Sequence, residues 1–181
     1  MRPICTDRLC IRKITRNDAK SIEHYASDYD VAKTTLNIPH PYPKGGGKEF
    51  VTAMLEQMKK GNHYTFAIDY LEKDQFIGLI SLHVNKDFSH AELGYWIGKP
   101  FWGQGFGTEA VQAMLLFGFH ELKLHKIFAR AFKENPASWR IMEKNGMIYE
   151  GTFKDHVFRM GEYHDVVFYR LLKREFLVEE N

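Results

Sequence analysis

Apolar residues recur along this chain in two periods, and the switches between them mark out its elements. Thr6–Ile14, "TDRLCIRKI", alternates and predicts a first strand. Thr15–Asp28 opens on cap-type residues, Thr15 and Asn17, and carries Ala19, Ile22, Tyr25 and Ala26 at helical spacing. Asn37–Gly47, "NIPHPYPKGGG", holds three prolines and three glycines in eleven residues and predicts a loop. Lys48–Gly61 predicts a second helix, with Phe50, Met54, Leu55 and Met58 on one stripe and Gly61 as its stop. Three strand-like runs follow, "HYTFAIDY", "QFIGLISLHV" and "HAELGYWIG", parted by the turns "LEKD" and "NKDFS". A glycine-rich stretch then leads into an apolar helix that runs to His120, and "HKIFARAF" is a short strand of buried type. Asn135 caps a further helix with Pro136 at its first position and Gly146 at its end. Ile148–Leu172 predicts two strands around a turn at Gly161-Glu162. The order β-α-α-β-β-β-α-β-α-β-β is a mixed α/β layout, read as one domain over residues 1–181.

Composition narrows the partners. A chain of 181 residues can bury one proper core. Its 25 Lys+Arg against 23 Asp+Glu leave a net charge of +2, which argues against direct nucleic-acid binding. The longest apolar run, Ala113–Phe119, is far short of a bilayer span, so no membrane association is expected. "MRPICTDRLC" lacks the apolar core of a secretory signal. Cys5 and Cys10 are the only cysteines, and read as one strand they point to opposite faces, which argues against a disulfide and for a reducing cytoplasm. His120 and His125 are five apart, off the four-residue spacing of a zinc helix, so no metal is expected. Phe66, Phe76, Phe117, Phe128 and Phe168 fall at positions that read as core.

"WGQGFGTEA", Trp102–Ala110, packs three glycines into five positions ahead of a helix. A dinucleotide fingerprint needs a glycine where Thr108 stands, and a Walker loop fails at "GGGKEF", where Glu49 follows Lys48. An RNA-binding strand would continue its aromatics in alternation, whereas "TEAVQAMLLF" turns helical. Two readings stay open on spacing alone: backbone amides cradling an anion at a helix N-terminus, or a tight turn with glycines for packing.

The blocks around this stretch decide what it resembles. "AELGYWIGKPFWGQGFGTEA", then "ENPASWRIMEKNGM", with "TDRLCIR" before and "YEGTFKDHVFRMGEYHDVVFYRLL" after, is similar to the GNAT N-acetyltransferases. Within them it most resembles the branch that acetylates ribosomal-protein N-termini. The resemblance implies a GNAT fold, a single central mixed, mostly antiparallel sheet of about seven strands with helices on both faces. It implies acetyl-CoA as donor, its pyrophosphate on the backbone of Gly103, Gln104, Gly105, Phe106, Gly107 and Thr108. It assigns the pantetheine and the thioester carbonyl to backbone groups of Trp96, Ile97 and Gly98. The acceptor is an amine, a protein N-terminus or a small molecule, acetylated directly. One departure stands out: Trp102 occupies the Gln/Arg position of the general pattern Q/R-x-x-G-x-G/A, so the cradle relies on amides.

The same resemblance supplies catalytic candidates. Glu92 matches the carboxylate that opens this strand in histone-type relatives and would act as base through water; the alternative is a strand carboxylate paired with a basic neighbour. Asn135 matches an asparagine that binds the pantetheine arm, or serves only as a helix cap. Where many relatives carry a tyrosine acid, seven residues on, this chain has Met142; Ser138 matches the serine proposed as acid in the ribosomal-protein branch. The missing tyrosine leaves a non-catalytic CoA sensor as the alternative. The loop Asn37–Gly47, the second helix and the final hairpin shape the acceptor channel, and the terminal strands offer a face for a homodimer.

Overall fold

In the computed structural model, which describes residues 2–179, the strands are β1 (Ile4–Cys5), β2 (Leu9–Lys13), β3 (His63–Tyr70), β4 (Gln75–Asn85), β5 (His90–Ile97), β6 (Lys126–Phe132), β7 (Ile148–Arg159) and β8 (Glu162–Leu172). They form one sheet in the order β1-β2-β3-β4-β5-β6-β8-β7. The helices are α1 (Ala19–Ala26), α2 (Tyr29–Lys33), α3 (Gly46–Lys60), α4 (Phe106–Leu116), α5 (Pro136–Lys144) and α6 (Lys173–Glu179).

Alternation along the strands sorts the helices onto two faces. On β3, β4 and β5, Phe66, Ile68, Ile80, Leu82 and Leu93 pack with Phe106, Ala110, Val111 and Met114 of α4. Their neighbours Ala67, Leu79 and Trp96 turn the other way and meet Ile22 of α1 and Val51 and Met54 of α3. Each fully buried leucine or isoleucine contributes about 1.5–3 kcal/mol, so these two rows fix both register and layering.

The sheet has eight strands because "TDRLCIRKI" does not begin the first one. The Thr6 N–H donates to the Leu9 carbonyl at 2.9 Å, and the chain doubles back over Thr6–Arg8. Cys5 and Cys10 therefore oppose each other on neighbouring antiparallel strands, their Sγ atoms 3.9 Å apart, rather than pointing away from each other on one strand. A polar turn of the right parity had preserved the alternation across a reversal.

The loop reading of Asn37–Gly47 also ends early, since α3 starts at Gly46. Gly45 caps it at φ +79°, a left-handed conformation open to glycine at little cost. Gly47 sits so close to α1 that a Cβ there would lie 2.1 Å from the Ala19 carbonyl oxygen. The Glu23 carboxylate of α1 accepts from the N–H groups of Gly45 and Gly47, a negative charge at the positive end of α3.

Beyond β5 the face carrying α1 and α3 opens. Phe128 and Phe168 are half-buried there rather than core, Phe168 stacked with Phe153 and Phe128 against His90. Phe66, Phe76 and Phe117 are buried as expected.

Candidate active site

β5 and β6 form the one parallel pair among the described strands, and they part company early. Their register runs from His90↔Lys126 to Leu93↔Ala129 and stops, although β5 continues to Ile97 and β6 to Phe132. On its other side β5 stays bonded to β4. The Gly98 N–H donates to the Ile77 carbonyl at 2.7 Å, which makes Ile97 and Gly78 a pair without mutual bonds. The backbone of Trp96 is thus directed at Leu79, while those of Tyr95 and Ile97 face the gap. Of the three strand-end residues singled out in the sequence, only Ile97 offers its N–H to that gap; its carbonyl accepts from the Trp102 indole at 2.6 Å.

The glycine stretch sits at the end of this gap. Gly103 and Gly105 take φ +74° and +80°, and Gly105 caps α4. Among the described residues no protein acceptor meets the N–H groups of Gly103 through Thr108. Six consecutive donors at the positive end of an apolar helix suit a diphosphate. At Gly107 a Cβ would lie 2.8 Å from Ile141 Cδ1, so this glycine lets α4 close on α5. Arg8, unremarked in the sequence, donates to the Gln104 carbonyl at 2.9 Å and lies over the Phe106 ring.

Across the gap, Asn135 accepts from the Ser138 N–H at 3.3 Å and donates through Nδ2 to the Thr34 carbonyl at 3.1 Å, so both ends of its amide are engaged. Ser138 meets Tyr95. The phenol donates to the Ser138 carbonyl at 2.9 Å and stands 3.0 Å from its hydroxyl. Burial pushes the phenol well above its ordinary 10, so it is protonated at neutral pH. Tyr95 was missed because an aromatic next to Leu93 and Trp96 on a strand reads as packing.

Glu92 alternates with Gly94 and Trp96 onto the opposite face, the one shared with α1 and α3. Its Oε1 accepts from Arg130 Nε at 2.8 Å and pairs with the terminal nitrogen at 2.7 Å, leaving Oε2 without a bond to this guanidinium. With His83, His90, Asn62 and Phe128 it lines a cleft of about 420 Å³. Asn62 Oδ1 is buried with no partner among the described residues. Arg159 of the β7–β8 hairpin donates to the carbonyls of Ala32 and Ile38, tying the hairpin to α2 and to the loop after it. Beside it His164 pairs with Glu134, which raises the imidazole above its ordinary 6.5.

A parallel pair that splays beside a helix start with six unpaired amides, set in a mixed sheet, has the geometry to suit a diphosphate-bearing acyl donor. An acetyltransferase (GNAT) domain model matches residues 8–148, and the chain belongs to the GNAT family, whose members use acetyl-CoA. It is 31% identical over 177 residues to the uncharacterized N-acetyltransferase p20 of Bacillus licheniformis, covering 97% of this chain and 99% of the other. The crystal structure of a GNAT-family acetyltransferase from Bacillus anthracis superposes with a TM-score of 0.85 at 30% identity, covering 96% of this chain and all of that one. The [ribosomal protein uS5]-alanine N-acetyltransferase of Escherichia coli is 26% identical over 171 residues, 91% of this chain and 87% of its own. No helix among the described residues is long and apolar enough to cross a membrane.

Proposed function

We propose that this enzyme acetylates a protein N-terminal amine of ribosomal-protein type. The observation that carries the reading is the parting of β5 from β6 beyond Leu93↔Ala129, next to the unpaired amides of Gly103–Thr108. Tyr95 and Ser138 stand on the α4–α5 side and Glu92 on the other, so donor and acceptor enter from opposite faces and meet in the gap.

Acetyl-CoA, when bound, supplies the activated thioester. The amides of Gly103–Thr108 hold its diphosphate, and the Ile97 N–H is aimed where charge builds on the acetyl oxygen. Asn135 flanks the pantetheine path. Ser138, held by Tyr95, gives its hydroxyl proton to the departing sulfur and takes one up from water as it does so, while Glu92 later returns the amine proton to solvent. Glu92 lies three residues, roughly 10 Å, down the strand from Tyr95. At that distance it takes the proton from the amine through water, and the ion pair with Arg130 keeps the carboxylate in place.

The acceptor class rests on likeness to the uS5-alanine enzyme and on the cleft at Glu92, whose carboxylate suits an incoming amine. The test is thiol release from acetyl-CoA with peptides carrying ribosomal-protein N-termini, against lysine side chains, polyamines and small amines. N-terminal peptides should turn over with the highest kcat/KM, and Glu92→Gln should lower kcat about 100-fold. Preference for a small amine would reassign the acceptor, and tight CoA binding with no turnover would make the protein a sensor.

A further inference from the structure

The β1–β2 turn joins two features that acetyl transfer does not use: a pair of thiols and a grip on the cradle. The bond from the Thr6 N–H to the Leu9 carbonyl makes Cys5 and Cys10 a directly opposed pair without mutual backbone bonds. Such residues have Cα atoms about 4.5 Å apart, inside the roughly 4.4–6.8 Å that a disulfide spans. Their Sγ atoms are already 3.9 Å apart, with Cys5 exposed and Cys10 half-buried. Side-chain rotation closes the bond.

Between the two thiols lies the turn that holds α4. Thr6 Oγ1 and the Arg8 N–H donate to Glu109 Oε1 at 2.6 and 3.0 Å, and Arg8 Nε donates to Oε2 at 2.7 Å. Arg8 reaches on to the Gln104 carbonyl and the Phe106 ring, both in the cradle. Arg8 is nonetheless 44% exposed, a long side chain whose position depends on the turn beneath it.

We propose that Cys5 and Cys10 form a reversible disulfide site, and that closing it fixes the Thr6–Arg8 turn and strengthens binding of CoA at the cradle. The second half rests on the cradle reading given above. Hydrogen peroxide is the oxidant. The Cys5 thiolate attacks one peroxide oxygen, the O–O bond breaks, and the sulfur becomes a sulfenic acid as hydroxide leaves and takes up the Cys5 proton. The Cys10 thiolate then attacks the Cys5 sulfur, the S–O bond breaks, and a second water leaves with the Cys10 proton. Two thiols lose two electrons and one peroxide becomes two waters. Burial pushes the Cys10 thiol up, which leaves exposed Cys5 as the first to react. A dithiol reductant reverses the reaction.

The experiment oxidises the full-length protein with hydrogen peroxide, measures the loss of two hydrogens and of both free thiols by mass spectrometry, and titrates each form with desulfo-CoA. That probe lacks the thiol that would reduce the bond. The oxidised form should bind about three- to tenfold tighter, the worth of one long side chain immobilised in advance. Cys5→Ser should bind like the reduced protein before and after peroxide. Separate oxidation of the two sulfurs, links between molecules, or a disulfide that leaves affinity unchanged or lower overturns the proposal. Gly105→Ala distinguishes the two layers: it should weaken binding in both redox states, and parental affinity would refute the cradle itself rather than the disulfide.

Discussion

With the Tyr95 phenol proton given to the Ser138 carbonyl, the phenol oxygen is left to accept from the Ser138 hydroxyl, which orients that hydroxyl in the resting site. Tyr95 is thereby a positioning residue for the proposed acid. Tyr95→Phe keeps the ring and removes the orienting oxygen, so kcat should fall about tenfold while the KM for acetyl-CoA holds. Ser138→Ala should lose more, and the double variant no more than Ser138→Ala alone, because residues acting as one unit are not additive. Additive losses in steady-state kinetics would separate Tyr95 from Ser138. Gly105 was legible in the sequence because its left-handed backbone constrains its type, whereas Ser138 entered only through the family resemblance and its role as acid is a proposal. Tyr95, Arg8 and Arg130 were not legible, since each acts through a partner distant in the chain, 43, 101 and 38 residues away.

Whole elements were legible where their period was long and unbroken. The helix stop at Gly61 is where α3 ends, with that glycine at φ +71°. Two of the misreadings at this scale sit at short reversals, the Thr6–Arg8 turn and the glycines before Lys48, where tertiary contact decides what local pattern leaves open, and the short helices α2 and α6 were not read at all. Gly47 shows the cost of that contact. A methyl group there meets the Ala19 backbone oxygen at 2.1 Å, and no rotamer change relieves a clash with backbone. Gly47→Ala should therefore push α1 and α3 apart, at a cost of about 1–3 kcal/mol or a fall of roughly 4–10 °C in Tm for a chain of this size. Calorimetry checks it, and an unchanged Tm would mean that the two helices tolerate wider spacing.

At the scale of the whole molecule, two histidines with opposite shifts set where the fold is most stable. Burial, aided by His83, lowers His63 below its ordinary 6.5, so folding disfavours its protonated form. The resulting penalty builds as pH falls from 6.5 through the folded value. Glu134 raises His164 above 6.5, and the stability of that pair is full below 6.5 and lost as pH rises through the folded value. One slope rises to pH 6.5 and the other falls from it. Carboxylates add a second acid limb: Lys33 and Lys99 hold Asp30 down to about 2, and at Asp18 and Glu109 bonds to Arg12 and to Thr6 and Arg8 outweigh the upward push of burial. Their contribution is lost only as pH falls below about 4. Asp69 opposes it, because burial raises its carboxyl despite Arg12. Thermal melts from pH 3 to 9 should peak near 6.5. His164→Asn should flatten the alkaline side alone, and His63→Asn the shallow slope just below the peak, with the steep loss under pH 4 intact in both. A Tm still climbing at pH 8 would show that the Glu134 pair contributes nothing to the fold, and with it the hairpin's charge anchor beside the gap.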